Sequence, residues 1–219
     1  MDCKGGTRSE ESENTSVGRK SQYWDAKDET WIHHYSPETK QQSKQWTAKG
    51  EPVPKKAKTV RSAGKVMASV FWDAKGILFI DYLEKGKTIN GPYYASLLDQ
   101  LKQKIQEKRP GLVKKKILFH QDNAPCHKSV IAMEKINELG FELVPHAPYS
   151  PDLAPSDFSL FPNLKKFHAG KKYGSDSEVI AATNAYFDEL DEKDYRDGIK
   201  GLEHRWTKCI QLEGDYVEK

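Results

Sequence analysis

The sequence of 219 residues has few cysteines and no long hydrophobic run. Its three cysteines, Cys3, Cys126 and Cys209, are odd in number and far apart, which excludes a disulfide framework and indicates a reducing, intracellular compartment. No run of about 18 apolar residues is present, as a membrane-spanning helix would require. The first 22 residues also lack the apolar stretch of a signal peptide. We therefore expect a soluble protein inside the cell, with no membrane partner.

The sequence also lacks a strong charge imbalance. Lys and Arg number 35 and Asp and Glu number 32, so the formal net charge of +3 does not by itself indicate a nucleic-acid-binding protein. Basic residues do cluster locally, at Pro54–Lys58, at 114–116 and at 165–172. Each cluster is open to two interpretations, a patch that contacts phosphate or directs nuclear import and an ordinary solvated surface.

Hydrophobic periodicity predicts one α/β domain at 25–219, preceded by a disordered tail at 1–24. A short strand is expected at 29–35, because the upstream QYWDAKD contributes little aliphatic content, and a long polar loop follows at 36–65. The remaining predicted elements are a hairpin at 66–73 and 77–83, helices at 92–108, 127–139, 157–168, 176–190 and 194–210, and strands at 117–122 and 141–145. Pro162 should kink or split the helix in which it lies.

Two aspartates stand where rigid elements would expose them. Asp122 ends a buried strand, and Asp157 begins a helix behind the proline-rich segment 146–157, with 34 residues between the two acids. A third acid, Asp28 or Glu29, opens the first strand. The alternative for any single aspartate is a helix cap or a solvated charge, and Asp157 is the most open to it.

Three converging carboxylates are typical of a two-metal phosphoryl-transfer site. Mg²⁺ prefers oxygen ligands, and two ions about 3.5–4 Å apart can clamp the attacking and leaving oxygens of a phosphodiester. Zinc is not expected, because Cys126 and His127, with His120, lack a second Cys/His pair at ligand spacing. His120 and His127 are expected to hydrogen-bond neighbouring loops.

Four segments carry a resemblance to one family. They are DETWIHHYSPETKQQSKQW (28–46), HQDNAPCH (120–127), PHAPYSPDLAPSDFSLF (145–161) and RWTKCIQLEGDY (205–216). Together they resemble the mariner family of DNA transposases over roughly residues 28–219. One relative of this kind is the transposase part of a primate protein in which a mariner domain is fused to a SET methyltransferase domain, although no SET-type sequence is present in this chain.

The resemblance implies an RNase H-like α/β fold, a mixed central sheet flanked by helices, as in retroviral-integrase-type catalytic domains. It implies that Asp28, Asp122 and Asp157 form the catalytic and metal-binding triad for Mg²⁺, with Mn²⁺ able to substitute. The implied partners are DNA, at transposon ends in the family, and a second copy of the chain, which the clamp-like loop 36–65 would contact. The implied location is the nucleus.

Two features bear on whether the site works. The third acid is Asp157, where the primate fusion protein has Asn, and this favours activity. Against it, YWDAKDE (23–29) departs from the aliphatic strand and TGDE-like turn of the family, so we expect a truncated strand that makes Asp28 the least secure ligand. The family's helix-turn-helix modules are also not found before the triad. The sequence therefore leaves two functions open, a metal-dependent transposase/endonuclease and an inactive relic or adopted domain that only binds DNA or protein.

Overall fold

A five-stranded mixed sheet forms the centre of the computed structural model, which describes residues 24–38, 42–44, 60–112 and 115–217. The strands are β1 (Trp24–His33), β2 (Lys65–Asp73), β3 (Gly76–Leu83), β4 (Ile117–Gln121) and β5 (Phe141–Val144). They lie in the order β3-β2-β1-β4-β5. β1, β2 and β3 are antiparallel neighbours, whereas β4 runs parallel to both β1 and β5. The predicted hairpin and both later strands are confirmed.

Five α-helices and three short helical turns flank this sheet in the described part of the chain. The helices are α1 (Gly91–Lys108), α2 (Val130–Glu138), α3 (Phe161–His168), α4 (Asp176–Glu189) and α5 (Glu192–Gln211). Two 3-10 turns lie at Pro110–Leu112 and Pro151–Leu153, and a π-helical turn lies at Ser156–Leu160. All five predicted helices are confirmed. The helix predicted to begin at residue 127 begins instead at Val130, because the Ser129 side chain caps it.

Each face of the sheet is covered by its own hydrophobic core. Alternation along β2 sends Val70 and Trp72 to the face covered by α3, α4 and α5, and Phe71 to the face covered by α1 and α2. Pro162 splits the helix predicted at 157–168, as expected, into the π-helical turn and α3. The acid-bearing turn is thereby placed directly over the sheet.

The prediction of a short first strand at 29–35 was wrong. β1 begins at Trp24, and its first four residues pair in parallel with Leu118–Gln121 of β4. On its other side the strand pairs with β2 from Ala26 to His33. A strand at the centre of a sheet is held by two backbone ladders, and these do not require aliphatic side chains. The expected truncation is therefore absent.

The long loop and the tail fall mostly outside the described residues. Of the predicted tail at 1–24, only Trp24 is described, and it begins β1. Of the clamp-like loop 36–65, the structure describes 36–38, 42–44 and 60–65. Its two ends meet where Ser62 N–H donates to the Tyr35 carbonyl at 3.0 Å. Among the described helices, none has the length and apolar character needed to cross a membrane.

A buried histidine joins α3 to α4. His168 is 3% exposed, and its Nδ1 lies 2.8 Å from the Tyr173 hydroxyl and its Nε2 3.2 Å from Thr183 Oγ1. Burial, with a smaller contribution from Lys171, lowers the pKa of His168 to about 4. An unfolded histidine titrates near 6.5. Protonation therefore opposes folding, and stability is lost as the pH falls from about 6.5 towards 4.

We predict that His168→Gln makes the protein less sensitive to acid. Between pH 7 and pH 5 the parent should lose about 1–2 kcal/mol more free energy of unfolding than the variant. The buried His168 must stay uncharged for the protein to fold, whereas glutamine has no titratable group. Urea unfolding at the two pH values measures this difference. His204→Gln, at an exposed position on α5, is the control and should behave as the parent. Equal acid sensitivity of parent and His168→Gln would contradict the prediction.

Candidate active site

Three aspartates from three separate elements meet where β4 ends beside the middle of β1. Asp28 lies within β1, and Asp122 directly follows β4. Lys27 pairs with Gln121 in the parallel ladder, so the next residue of each strand is one of the two acids. Asp157 approaches from the π-helical turn, which contacts β1. The structure thus brings together the three aspartates that were predicted from the sequence.

The turn that carries Asp157 is anchored to the sheet through a buried hydrogen bond. Trp72 Nε1 on β2 donates to Ser156 Oγ at 3.0 Å, and both residues are almost completely buried. The Asp157 backbone N–H donates to the Ala154 carbonyl at 2.9 Å. No side chain caps this turn, so the alternative in which Asp157 acts as a helix cap is wrong.

Asp28 is a buried acid that holds a proton. Only 7% of the residue is exposed, and burial, together with the charges of Asp157 and Asp122, raises its pKa to about 9. The Asp28 carboxylic acid donates a hydrogen bond to Asp157, and the Glu29 backbone N–H donates to Asp28 Oδ1 at 2.8 Å. Burial also raises the pKa of Asp157, although the nearby Lys165 opposes that shift. Asp28 and Asp157 therefore share a proton near neutral pH.

Asp122 is held in a different way. Its Oδ1 accepts from the Ala124 backbone N–H at 3.0 Å and lies 2.5 Å from Nδ1 of His127. The other ring nitrogen of His127 lies 3.1 Å from Glu29 Oε1. The Asp122 side chain remains 36% exposed, so it is fixed in direction and still accessible from solvent.

The remaining histidines of the site hold the loops around it. His120 Nε2 lies 3.2 Å from Nδ1 of His146, which follows β5, and Asn123 donates to the His146 carbonyl at 3.0 Å. Burial, with His146, lowers the pKa of His120 to about 4, so this ring is uncharged at neutral pH. The expected loop contact of His120 is confirmed. His127, in contrast, contacts an acid of the site directly, and sequence reasoning missed both this contact and the part of Glu29 in it.

The acid cluster has the donor chemistry of a site for a hard divalent cation. As the chain stands, no three His, Cys, Asp or Glu side chains within the described ranges are placed to hold a metal ion. The carboxylate oxygens of Asp28, Asp122 and Asp157 are nevertheless the type of ligand that Mg²⁺ prefers, and burial, with a smaller contribution from the charge of Asp122, raises the pKa of both Asp28 and Asp157. The three aspartates fit such an ion once Asp28 and Asp157 have lost the proton that they share.

Comparison with known proteins agrees with this geometry. A family model described as "Transposase (partial DDE domain)" matches residues 36–115. The mariner Mos1 transposase of Drosophila mauritiana is 35% identical over 193 residues, which cover 87% of this chain and 55% of that protein. The human histone-lysine N-methyltransferase SETMAR is 34% identical over 193 residues, covering 87% of this chain and 28% of that protein. The chain thus spans about half of one relative and less than a third of the other.

Solved structures show the same relationship. The catalytic domain of Mos1 mariner transposase superimposes with a TM-score of 0.73 at 31% identity, over 89% of this chain and 83% of that chain. The Mos1 mariner paired end complex with Mn gives a TM-score of 0.80 at 34% identity, over 88% of this chain and 56% of that chain.

These matches define an RNase H-like, integrase-type catalytic domain, as the sequence predicted. Within that class, the chain belongs to the mariner family of DNA transposases. The roles of Asp28, Asp122 and Asp157 stay predictions, whereas their convergence is an observed property of the fold.

Ser156→Ala tests the anchor beneath Asp157. The variant leaves the buried indole N–H of Trp72 without its acceptor, so the free energy of unfolding should fall by about 1–3 kcal/mol. Urea unfolding measures the loss. Ser159→Ala, in the same turn, is the matched control and should cost less, because Ser159 does not accept from the indole. Equal stability of the Ser156 variant and the parent would show that the anchor contributes nothing.

Proposed function

We propose that this domain catalyses metal-dependent DNA transposition chemistry, the hydrolysis of phosphodiester bonds at DNA ends followed by strand transfer. The observation that supports the proposal best is the convergence of Asp28, Asp122 and Asp157 from β1, the end of β4 and the π-helical turn. Burial raises the pKa of Asp28 and of Asp157, and carboxylates with strongly perturbed pKa values cluster at functional sites.

The three aspartates would hold two Mg²⁺ ions, with Mn²⁺ as a substitute. When bound, the ions would supply the Lewis acidity that activates the attacking water, and later the attacking 3′-hydroxyl group, and would neutralise charge on the phosphate. The chain contributes the geometry. Asp28 and Asp157 would present their carboxylates from β1 and from the π-helical turn, the fixed direction of Asp122 would present its carboxylate from the end of the neighbouring strand β4, and Lys165 places positive charge beside Asp157.

A basic groove that includes Lys165, whose charge acts on Asp157, supports DNA as the substrate. This cavity of about 610 Å³ is lined by Arg61, Lys165 and Lys166 and also by Trp31 and His33 of β1. The three cations are exposed, so they are available to phosphate groups. Solved Mos1 structures include a paired-end complex with a left transposon end and a complex with Mn. For this chain, transposon ends are the substrate that we propose by that relationship.

Two further parts of the proposal follow from family membership. We propose a homodimer in which the loop 36–65 contacts the second copy, and a nuclear location, where the DNA substrate lies. One argument for the inactive alternative was a truncated strand before Asp28. That argument does not hold, because β1 extends from Trp24 through Asp28, and inactivity becomes an outcome of the test below.

Calorimetric titration of Mn²⁺ tests the acid cluster. We expect saturable binding to the parent and none to Asp28→Asn or Asp122→Asn, because each amide removes a negative ligand while keeping the size of the side chain. Nicking of supercoiled plasmid in Mn²⁺ should fall to background in the same variants. Asp197→Asn, which neutralises an exposed acid on α5, is the matched control and should bind and cut as the parent does.

Two results would contradict the proposal. Binding that survives in both amide variants would place the metal elsewhere. Binding by the parent without nicking of any DNA would favour the inactive, binding-only domain.

A further inference from the structure

His127 is a completely buried histidine beside the acid cluster. It lies in the turn after β4, where its backbone N–H donates to the Ala124 carbonyl at 3.0 Å, and 0% of its side chain is exposed. Its ring packs against the ring of Tyr94 on α1, with centroids 4.4 Å apart. A polar ring in such a place is tolerated only when its nitrogens are hydrogen-bonded.

Both nitrogens of this ring face carboxylate oxygens. Nδ1 lies 2.5 Å from Asp122 Oδ1, and Nε2 lies 3.1 Å from Glu29 Oε1. Each nitrogen lies within hydrogen-bond distance of its carboxylate oxygen, so the ring is in contact with both acids at once. The ring therefore joins Asp122, at the end of β4, to Glu29, the neighbour of Asp28 on β1.

A further layer of contacts fixes the ring itself. The Tyr94 hydroxyl donates to Gln121 Oε1, and Gln121 Nε2 donates to the His127 carbonyl at 3.4 Å. Tyr94, Gln121 and His127 are all buried, so the ring is packed from beneath and hydrogen-bonded at both edges. Its direction is set before any ligand arrives.

We propose that His127 is a positioning residue that aims the carboxylate of Asp122 at the metal, with Glu29 holding the ring in place. The inference rests on the proposed function, because it concerns Asp122 as a metal ligand. Partners one layer behind a metal ligand orient it, and their loss typically reduces metal affinity by about 10–100-fold. Neither His127 nor Glu29 needs to contact the metal in this arrangement.

Two substitutions separate the contacts of the ring. The amide nitrogen of His127→Asn can take the place of Nδ1 and keep the bond to Asp122, whereas that of His127→Gln can take the place of Nε2 and keep only the bond to Glu29. We expect Mn²⁺ to bind the Gln variant about 10–100-fold more weakly than the parent, and the Asn variant much less weakly, on the basis of the usual effect of such partners. Calorimetry measures affinity, and thermal unfolding of the metal-free proteins measures stability.

The comparison distinguishes positioning from a structural role. If His127 only stabilises the fold, both variants lose affinity in proportion to their loss of melting temperature, and the inference is overturned. Asp122→Asn is titrated beside them. If Asp122→Asn loses Mn²⁺ binding but the two His127 variants bind equally well, the inference about His127 is overturned and the proposed function stands. If Asp122→Asn binds Mn²⁺ as the parent does, the proposed function itself is overturned.

A second pair of variants covers the case in which neither His127 variant folds. Glu29→Gln retains an oxygen that can accept from Nε2, and Glu29→Ala does not. Mn²⁺ affinity that falls in Glu29→Ala and is restored in Glu29→Gln supports the inference. Parent-like affinity in Glu29→Ala overturns it.

Discussion

The parallel pairing of β1 with β4 is the constraint on which the rest of the site depends. β4 ends at Gln121 beside the middle of β1, and the register pairs Lys27 with Gln121, so Asp28 and Asp122 follow side by side. A shift of one residue in β1 would turn Asp28 to the opposite face and remove it from the cluster. The pairing of β1 with both β2 and β4 makes such a shift costly, because every backbone hydrogen bond of the strand would have to change.

Bringing these carboxylates together opposes folding, and the chain reduces that cost in two ways. Asp28 and Asp157 share a proton, which removes one negative charge from the buried pair. Asp122 lies instead beside His127, whose other nitrogen faces Glu29. The cluster is therefore assembled in a form that is tolerable without a cation and that a divalent cation would stabilise. Repulsion retained at a site in this way is typical of function rather than of structural stability.

Sequence reasoning succeeded where periodicity or a stiff local signal was strong. The β2–β3 hairpin and α1 follow from apolar alternation and from helical spacing, and Pro162 marked the split between the π-helical turn and α3. It failed at β1, because a strand held by ladders on both sides leaves little trace in its own side chains. The five-residue spacing from Asp122 to His127 was visible in the sequence, but nothing local showed that this histidine would reach back to Glu29 on another strand.

The sequence by itself determined the family and the fold class, and it identified the three acids that the fold brings together. It could do so because long motifs and hydrophobic periodicity depend only on residues that are close together in the sequence. Only the tertiary structure decided that β1 extends from Trp24 through Asp28 and that burial raises the pKa of Asp28. It alone also decided that His127 lies between Asp122 and Glu29. These properties depend on strand register, burial and contacts between residues far apart in the sequence, such as His127 and Glu29, which are 98 positions apart. Each of them arises from packing across the sheet, which a local pattern of residues does not encode.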